Sequence, residues 1–446
     1  MSYIRSAISK FLKTQPPARI IALGFALLIL CGAALLMLPF AVHPGLHIAP
    51  LDALFTATSA VCVTGLVVVD TADTFSMFGQ VVIAVLIQIG GLGVASIGMG
   101  LALVTGRRIN LKGRSLVREA LNVESLDGMV RLVRAVLLMT LICEGAGAVL
   151  GFPAFAGNHM PLQAVWLSIF HSIASFNNAG FDALGGGTNL IPYRGDVLLN
   201  IVTDALVIVG GIGFLTWDDV CTHRLHLRRY RMQSKVILSA TAILIALPAL
   251  LFFLTDFAEL PAGQRVLASL FQAVTPRTAG YNTADLTKMS DTSQAVTILL
   301  MLTGGAPGST AGGMKVTTLA VLAANAVAAF RRREDPQLFK RRLEPSAVRN
   351  AAAILLLYLG LTFAGAAVIS AAENLPLGDC LYETASAAGT VGLTLGLTPQ
   401  LGTLSQSILI LLMFFGRVGG LTLIYAAFSG HDLTYARYPK EMITVG

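Results

Sequence analysis

The stretch Ser386 to Gly396, SAAGTVGLTLG, decides the fold that the sequence predicts. It reads as the end of a short helix that runs into an extended Thr390-Val391-Gly392 turn, with long apolar segments on both sides. Such a turn can present a row of backbone carbonyls to a dehydrated cation, as potassium-selective filters do. One tripeptide is weak evidence by itself, and a pore with fourfold walls requires three further turns of this kind.

The composition is that of an integral membrane protein. Of the 446 residues, 55% are hydrophobic and only 12% are charged, whereas about a quarter of the residues in a soluble domain are charged. Apolar runs of about 18 residues or more, long enough to cross a bilayer, begin near Ile20, Phe78, Val133, Val197, Val236, Ala295, Ala351 and Ser405. We therefore expect eight membrane-spanning helices.

The basic residues are concentrated in every second connecting segment. Of the 31 lysines and arginines, 25 lie in five blocks: 1–19, 107–134, 224–235, 331–349 and 437–440. Cytoplasmic segments are enriched in Lys and Arg, so we expect both termini in the cytoplasm and the protein in the inner (plasma) membrane of the cell. The basic charge follows from this topology, and no nucleic acid is expected. Blocks 224–235 and 331–349 could bind a cytosolic partner or anionic membrane lipid.

The Gly392 turn has three counterparts along the chain. Turns end at Gly65, Gly180, Gly280 and Gly392, and each is followed by a large apolar residue. A repeat of this kind predicts a filter with four walls. The predicted filter residues are Val63, Thr64, Gly65, Asn178, Ala179, Gly180, Thr278, Ala279, Gly280, Thr390, Val391 and Gly392.

Each turn is preceded by a helical stretch of about three turns, too short to cross a bilayer. These stretches are Leu51 to Val61, Ala164 to Ser175, Gln264 to Val274 and Asp379 to Ala388. A re-entrant helix that ends in the membrane directs its unpaired carbonyls and the negative end of its dipole at the pore, which favours a cation. The alternative is that the four glycines only end helices in ordinary outer loops.

The predicted fold is therefore an all-α membrane protein with four pseudo-repeats around one pore. Each repeat comprises a spanning helix, a re-entrant pore helix with its filter loop, and a second spanning helix. The expected units are a cytoplasmic N-terminus (1–19), repeats at 20–105, 106–223, 224–333 and 334–430, and a cytoplasmic tail (431–446).

Paired glycines occur in the second span of every repeat. In the first, second and fourth repeats, close packing of helices is the simplest reason for them. In the third repeat the pair opens a Gly, Pro and Ser/Thr run that breaks a helix. Broken backbone at that depth has to be buried in protein or line water, so we interpret the run as a movable barrier, with a static kink as the alternative. The predicted gate residues are Gly304, Gly305, Gly308, Ser309, Thr310, Gly312 and Gly313.

Isolated charges inside the spans are functional candidates. Arg417 either faces the pore below the filter, where it would repel cations, or pairs with a carboxylate to hold helices together. We expect Arg277 to turn back and hold its filter loop from behind. Glu144, Asp204 and Glu383 are expected to accept hydrogen bonds behind the filter, and the role of Lys315 stays open.

A likeness to a known family rests on the four pore-helix and turn units TATSAVCVTGL, SFNNAGF, VTPRTAGYN and ETASAAGTVGLTLGLTP, together with QIGGLG and GGAPGSTAGGMK. Over essentially the whole chain these resemble the Trk/Ktr/HKT superfamily of potassium transporters. The likeness is closest to its KtrB membrane subunits, because the chain begins directly with the first repeat. It implies homodimers with one pore per subunit, a cytosolic KtrA-type nucleotide-binding ring, a gating loop at 304–313 and a pore-facing Arg417.

Together these features predict potassium uptake, passive or Na⁺-assisted, driven by the membrane potential. The resemblance implies K⁺ as the transported ion, because Gly65 stands where plant relatives that prefer Na⁺ have Ser; Na⁺ is a second candidate. The second and third turns, which contain or follow Asn178 and Arg277, depart from the TVG sequence of the fourth turn. A membrane subunit of an ATP-driven potassium pump shares this repeat but would need further flanking helices. A receptor or an enzyme would need an ectodomain or a catalytic constellation, and neither is recognisable in the sequence.

Overall fold

The computed structural model describes residues 15–105, 111–120, 129–224, 226–427 and 441. In these ranges the regular secondary structure is helical, with one antiparallel hairpin between the third and fourth repeats, formed by β1 (Gln337–Leu338) and β2 (Arg341–Arg342). Each repeat contains an outer helix, a short pore helix and an inner helix made of two pieces.

The first two repeats have the following bounds. The first repeat contains α1 (Pro17–Leu36), the pore helix α2 (Pro50–Val61), the one-turn α3 (Thr71–Thr74), and the inner pair α4 (Met77–Leu92) and α5 (Val94–Val104). The short α6 (Leu111–Ala120) lies within the predicted second repeat. The second repeat contains α7 (Met129–Ala156), the pore helix α8 (Pro161–Phe176), and the inner pair α9 (Val197–Gly211) and α10 (Phe214–His223).

The last two repeats follow the same order. The third contains α11 (Met232–Leu254), the pore helix α12 (Ala262–Val274), and the inner pair α13 (Asp291–Leu302) and α14 (Val316–Phe330). The fourth contains α15 (Pro345–Glu373), the pore helix α16 (Leu377–Gly389), and the inner pair α17 (Thr403–Val418) and α18 (Gly420–Ala427). Short 3₁₀ turns lie at Ile191–Tyr193, Leu227–Arg229, Leu286–Lys288 and Thr398–Gln400.

The four outer helices are each long and apolar enough to cross a membrane. The predicted all-helical membrane fold with re-entrant pore helices is therefore confirmed. In the first, second and fourth repeats, where the sequence analysis explains the glycines by close packing, the structure also has a break in the second span. The breaks lie at Gly93, Gly213 and Gly419, whose φ angles are +82°, +87° and +91°, and the first two pairs bend by 96° and 101°. Glycine adopts this backbone conformation without the steric penalty that a side chain would add.

Proline starts all four pore helices. Pro50 and Pro161 are the first residues of α2 and α8, while Pro261 and Pro376 immediately precede α12 and α16. Proline suits this position because its fixed φ is already helical and the missing N–H would have no helical partner there. The pore helices therefore begin at places that the local sequence dictates.

The inner helices approach the ends of the pore helices at glycines. A Cβ placed on Gly90 would overlap the carbonyl oxygen of Val61, the last residue of α2. Gly210 meets the carbonyl of Phe176 and Gly416 that of Ala388 in the same way. This contact seats each of these pore helices against the inner helix of its own repeat.

A pair of substitutions tests the contact between α4 and α2. We expect Gly90→Ala to destabilise the protein by about 1–3 kcal/mol or more, as overpacking of a tight contact does, because the opposing atoms are backbone. Gly98→Ala is the control, since a Cβ there meets no atom within 4 Å and alanine favours a helix. The measurement is the melting temperature of the detergent-solubilised protein. Equal melting temperatures for the two variants would contradict the proposed packing.

Candidate ion pathway

The four predicted filter turns form a closed ring. A Cβ on Gly65 would lie 3.1 Å from the Cα of Gly180, one on Gly180 3.0 Å from the Cα of Gly280, and one on Gly280 3.1 Å from the Cα of Gly392. The ring closes because a Cβ on Gly392 would lie 3.0 Å from the Cα of Gly65. Each turn therefore contacts the next, and no side chain fits at any of the four positions.

The backbone conformation of the four turns is also shared. Two residues before each glycine, Val63, Asn178, Thr278 and Thr390 have φ angles of +50°, +57°, +68° and +50°. A non-glycine residue in this region costs about 1–3 kcal/mol and persists only where its surroundings enforce it. Each filter turn is a triplet of residues that ends at its glycine. The φ angle is positive at the first and third residues of each triplet but not at the second. The same strained geometry at four matched places marks these turns as a functional feature.

The turns are tied to their pore helices in two different ways. In the first and fourth repeats, the N–H groups of Gly65 and Gly392 each donate to a serine hydroxyl six residues earlier, Ser59 or Ser386, at 3.0 Å. The second and third repeats have Ala174 and Val274 at that position. In the third repeat, Thr275 Oγ1 instead donates to the carbonyl of Tyr281 at 2.5 Å, beyond the filter glycine.

Glu383 holds the loop that follows the fourth turn. This buried carboxylate accepts hydrogen bonds from Thr394 Oγ1 at 2.6 Å, from the backbone N–H of Leu395 at 2.9 Å and from Thr398 Oγ1 at 2.5 Å. Glu144 Oε1 accepts a hydrogen bond from Asn177 Nδ2 at 3.0 Å, next to the second turn. Both carboxylates therefore accept hydrogen bonds behind the filter, as the sequence analysis expects.

Arg277 is buried beside the third turn but turns away from the ring. Its Nη2 donates to Thr241 Oγ1 on the outer helix α11 at 3.1 Å, so the guanidinium braces its loop from behind. Asp204 is also buried, on α9, and its Oδ2 has no hydrogen-bond partner in the described part of the chain. The structure assigns Asp204 no acceptor role of the kind expected from the sequence.

The Gly304 to Gly313 run forms a loop directly below the ring. It fills the break in the inner helix of the second repeat: Ala306 N donates to Gly211 O at 2.8 Å, and Phe214 N donates to Gly308 O at 2.7 Å. These are the backbone groups that a broken helix leaves unpaired. On the other side, Gly313 N donates to Gly416 O at 3.2 Å. We call residues 304–313 the intramembrane loop.

Arg417 joins this loop to the first repeat. Its Nη1 donates to the carbonyl of Thr310, and its Nη2 donates to the carbonyls of Gly90 and Gly91, the latter at 2.7 Å. Among the described residues Arg417 forms no ion pair. The guanidinium thus connects the loop to the first inner helix through carbonyls. Lys315 bends back onto its own loop, where Nζ donates to Ala311 O at 2.8 Å.

Cavities lie above and below this arrangement. The lower one, of about 200 Å³, is lined by Arg417, Lys315 and residues of the intramembrane loop. The upper one, of about 270 Å³, is lined by the four filter glycines and by Asp70, Asp182 and Asp285. A carboxylate-lined mouth raises the local concentration of cations. The ring borders the upper cavity, and the intramembrane loop borders the lower one.

The upper cavity includes a carboxyl with a raised pKa, that of Asp182. Burial raises the pKa of Asp182 to about 6, and the negative charges of Asp70 and Asp73 add to this shift, while the hydrogen bond from the Leu184 N–H opposes it. Asp70 and Asp73 themselves accept hydrogen bonds from Gly187 N and Gly186 N. The charge of the upper cavity thus depends on the pH of the solution that it faces.

Sequence reasoning missed two parts of this pathway. The carboxylates of the mouth follow the first, second and third turns by two to five residues, a spacing that could have been noticed. The partners of Arg417 had no such signal, because backbone carbonyls are present at every residue and the sequence does not show which ones are unpaired.

Comparisons with known proteins place the chain in a family. The family model described as TrkH, cation transport protein, matches residues 25–432. The chain is 37% identical to the Ktr system potassium uptake protein B of Bacillus subtilis, over 100% of both chains. It is 38% identical to the potassium/sodium uptake protein NtpJ of Enterococcus hirae, over 97% of this chain and 98% of that protein.

A solved structure supports the same fold. The crystal structure of the potassium transporter TrkH from Vibrio parahaemolyticus matches with a TM-score of 0.74 at 18% identity, covering 92% of this chain and 85% of that one. At this identity the match shows the fold alone. The family model and the two relatives, each of which covers nearly the whole chain, carry the assignment. The chain is a multi-pass membrane protein and a member of the TrkH family of cation transport proteins.

Proposed function

We propose that the chain is a potassium-uptake pore in which the ring of Gly65, Gly180, Gly280 and Gly392 selects the ion. The closed ring carries this proposal, because four backbone turns in mutual contact can surround one dehydrated cation with carbonyls. The names of the two relatives support K⁺ as the transported ion, and that of the Enterococcus protein keeps Na⁺ as a second candidate. The membrane potential supplies about 2.3 kcal/mol per charge per 100 mV.

The intramembrane loop is the proposed gate. It lies between the ring and the lower cavity, and Arg417 fastens it to the first inner helix. An ion cannot pass until the loop moves, which requires these hydrogen bonds to break. The guanidinium in the path also opposes the passage of cations by its charge.

Assembly and orientation complete the proposal. The proposed assembly is a homodimer with one pore per subunit, regulated by a cytosolic KtrA-type nucleotide-binding partner, as the family resemblance implies. The name of the Bacillus relative, a protein of a Ktr system, supports a multi-component system of this kind. The basic blocks 224–235 and 331–349 are the proposed cytoplasmic docking surfaces, with both termini on that side of the inner membrane. The repeat boundaries at 20–105, 106–223, 224–333 and 334–430 belong to the same proposal.

Ion flux into vesicles tests the filter. In liposomes containing the purified protein, K⁺ is expected to enter faster than Na⁺. Gly392→Ser is expected to lower this preference by about tenfold, a loss of about 1.4 kcal/mol, because the added side chain meets the Thr64 carbonyl and Gly65. Gly45→Ser is the control: its φ is +87°, but a Cβ there meets nothing within 4 Å. An unchanged preference in Gly392→Ser would refute the filter assignment.

Two substitutions at Arg417 separate its hydrogen bonds from its charge. We expect Arg417→Gln to raise K⁺ flux by about tenfold or more, because each hydrogen bond from a charged donor contributes about 1.5–3 kcal/mol. Lysine keeps the charge but cannot reproduce the planar fork of donors. A K⁺ flux in Arg417→Lys as high as in Arg417→Gln would show that the hydrogen bonds hold the gate. A flux as low as that of the unmodified protein would show that charge repulsion dominates.

The outer mouth predicts a dependence on external pH. The pKa of Asp182 is raised to about 6, so its carboxyl becomes neutral as the pH falls through that value. Cation attraction at the mouth then weakens, and K⁺ uptake at low K⁺ is expected to fall about twofold or more between neutral and mildly acidic pH. Asp182→Asn should remove this dependence, and the exposed Asp291→Asn should keep it. A pH profile unaltered by Asp182→Asn would argue against this role.

A further inference from the structure

The intramembrane loop touches the filter itself as well as blocking the path below it. Thr310 Oγ1 lies 3.1 Å from Asn178 Oδ1, in the second filter turn, and 3.1 Å from the carbonyl of Phe176 at the end of α8. The backbone N–H of Thr310 donates to Gly210 O at 3.2 Å. Thr310 and Asn178 are both fully buried, with 0% of their surface exposed.

Asn178 also contacts the third filter turn. Its Nδ2 lies 3.4 Å from the carbonyl of Arg277 and 3.5 Å from Thr278 Oγ1, and it also donates to Val207 O at 3.3 Å. One amide side chain therefore connects the loop, the second turn, the third turn and the inner helix α9. Asparagine suits the place because it tolerates the positive φ of the turn and still carries both a donor and an acceptor.

The loop also abuts the fourth turn. A Cβ on Gly312 would overlap Thr390 Oγ1 and lie 3.0 Å from Thr390 Cβ, and one on Gly313 would lie 2.8 Å from the carbonyl of Gly389. Three of the four filter turns are thus contacted from below, directly or through Asn178, by a segment that has to move for an ion to pass.

We propose that the hydrogen bond between Thr310 and Asn178 couples the gate to the filter, so that the docked loop helps to set the preference for K⁺ over Na⁺. The proposal rests on the proposed function of the ring and the loop. When the loop is released, the Asn178 side chain loses its partner Thr310 and can move. The distance between the second and third turns can then change. Because coupling between two sites is reciprocal, loosening Asn178 also loosens the loop. A loop that acts only as a barrier would change the flux of both ions alike.

Substitutions at Thr310 test the coupling in liposomes that contain the full-length protein. Thr310→Val keeps the shape and removes the hydroxyl, and we expect the ratio of K⁺ to Na⁺ flux to fall about fivefold, the effect of losing one ordinary hydrogen bond. Thr310→Ser restores the hydroxyl and is expected to keep the ratio of the unmodified protein. Thr297→Val is the matched control, because that equally buried hydroxyl donates only to Ser293 O within α13, at 2.8 Å.

The reciprocal effect is measured from the filter side by hydrogen exchange. Asn178→Gly removes the side chain at a position of positive φ that glycine accepts without strain. We expect backbone amides of residues 304–316 to exchange about fivefold faster in this variant, while Thr297→Val leaves them unchanged. This measurement needs no flux and covers the case in which Thr310→Val does not fold.

The outcomes separate the two proposals. A lower flux ratio in Thr310→Val, restored in Thr310→Ser, supports the coupling, as does faster exchange in Asn178→Gly. The coupling is overturned if Thr310→Val raises the flux at an unchanged ratio of K⁺ to Na⁺. It is also overturned if the exchange rate of residues 304–316 is the same in Asn178→Gly as in the unmodified protein. In either case the loop acts as a barrier only. If the unmodified protein shows no K⁺ flux in vesicles, the proposed function fails, while the exchange result still decides whether loop and filter are linked.

Discussion

The contact between four filter glycines is the constraint on which the rest of the structure depends. At Gly65, Gly180, Gly280 and Gly392 the next turn lies where a Cβ would be, so the chain has to bring four backbones together at one point. Backbone groups so close to the centre of a membrane protein need hydrogen-bond partners. The pore helices supply them, because each turn folds back onto its own helix through the bonds from Thr64, Ala179, Ala279 and Val391 N–H groups.

The breaks in the inner helices follow from the same crowding. Gly90, Gly210 and Gly416 let these helices press on the ends of the pore helices, and a few residues later each helix turns away at a glycine of positive φ. A break in a membrane helix leaves carbonyls and N–H groups without partners. In the second repeat the intramembrane loop pairs them, and in the first repeat Arg417 does so for Gly90 and Gly91. The proposed gate is thus held by groups that the breaks leave unpaired.

Sequence reasoning succeeds here where structure is local and repeated. The pore helices end within one residue of their predicted ends at Val61, Ser175, Val274 and Ala388, since apolar length and the following Gly turn define them. Sequence reasoning does not predict the helix breaks at Gly93, Gly213 and Gly419. A single sequence does not distinguish a glycine that allows close packing from one that adopts a positive φ. The contacts of Arg417 with Thr310 and of Thr310 with Asn178 were beyond prediction as well, since each joins residues of different repeats that are more than 100 positions apart.

The departures from a fourfold TVG motif have a structural explanation. Arg277 directs its side chain away from the ring, to Thr241 on α11. The Asn178 side chain links its turn to Val207 O on α9, to the third turn and to the intramembrane loop, and the backbone of both turns keeps the shared pattern of positive φ. Because a carbonyl filter is made of backbone, such side chains can differ without altering its walls. The first and fourth repeats keep the serine bond, whereas the second connects its turn to the intramembrane loop. Unequal repeats therefore keep the ring backbone similar in all four turns, while the side chains differ where the proposed gate attaches.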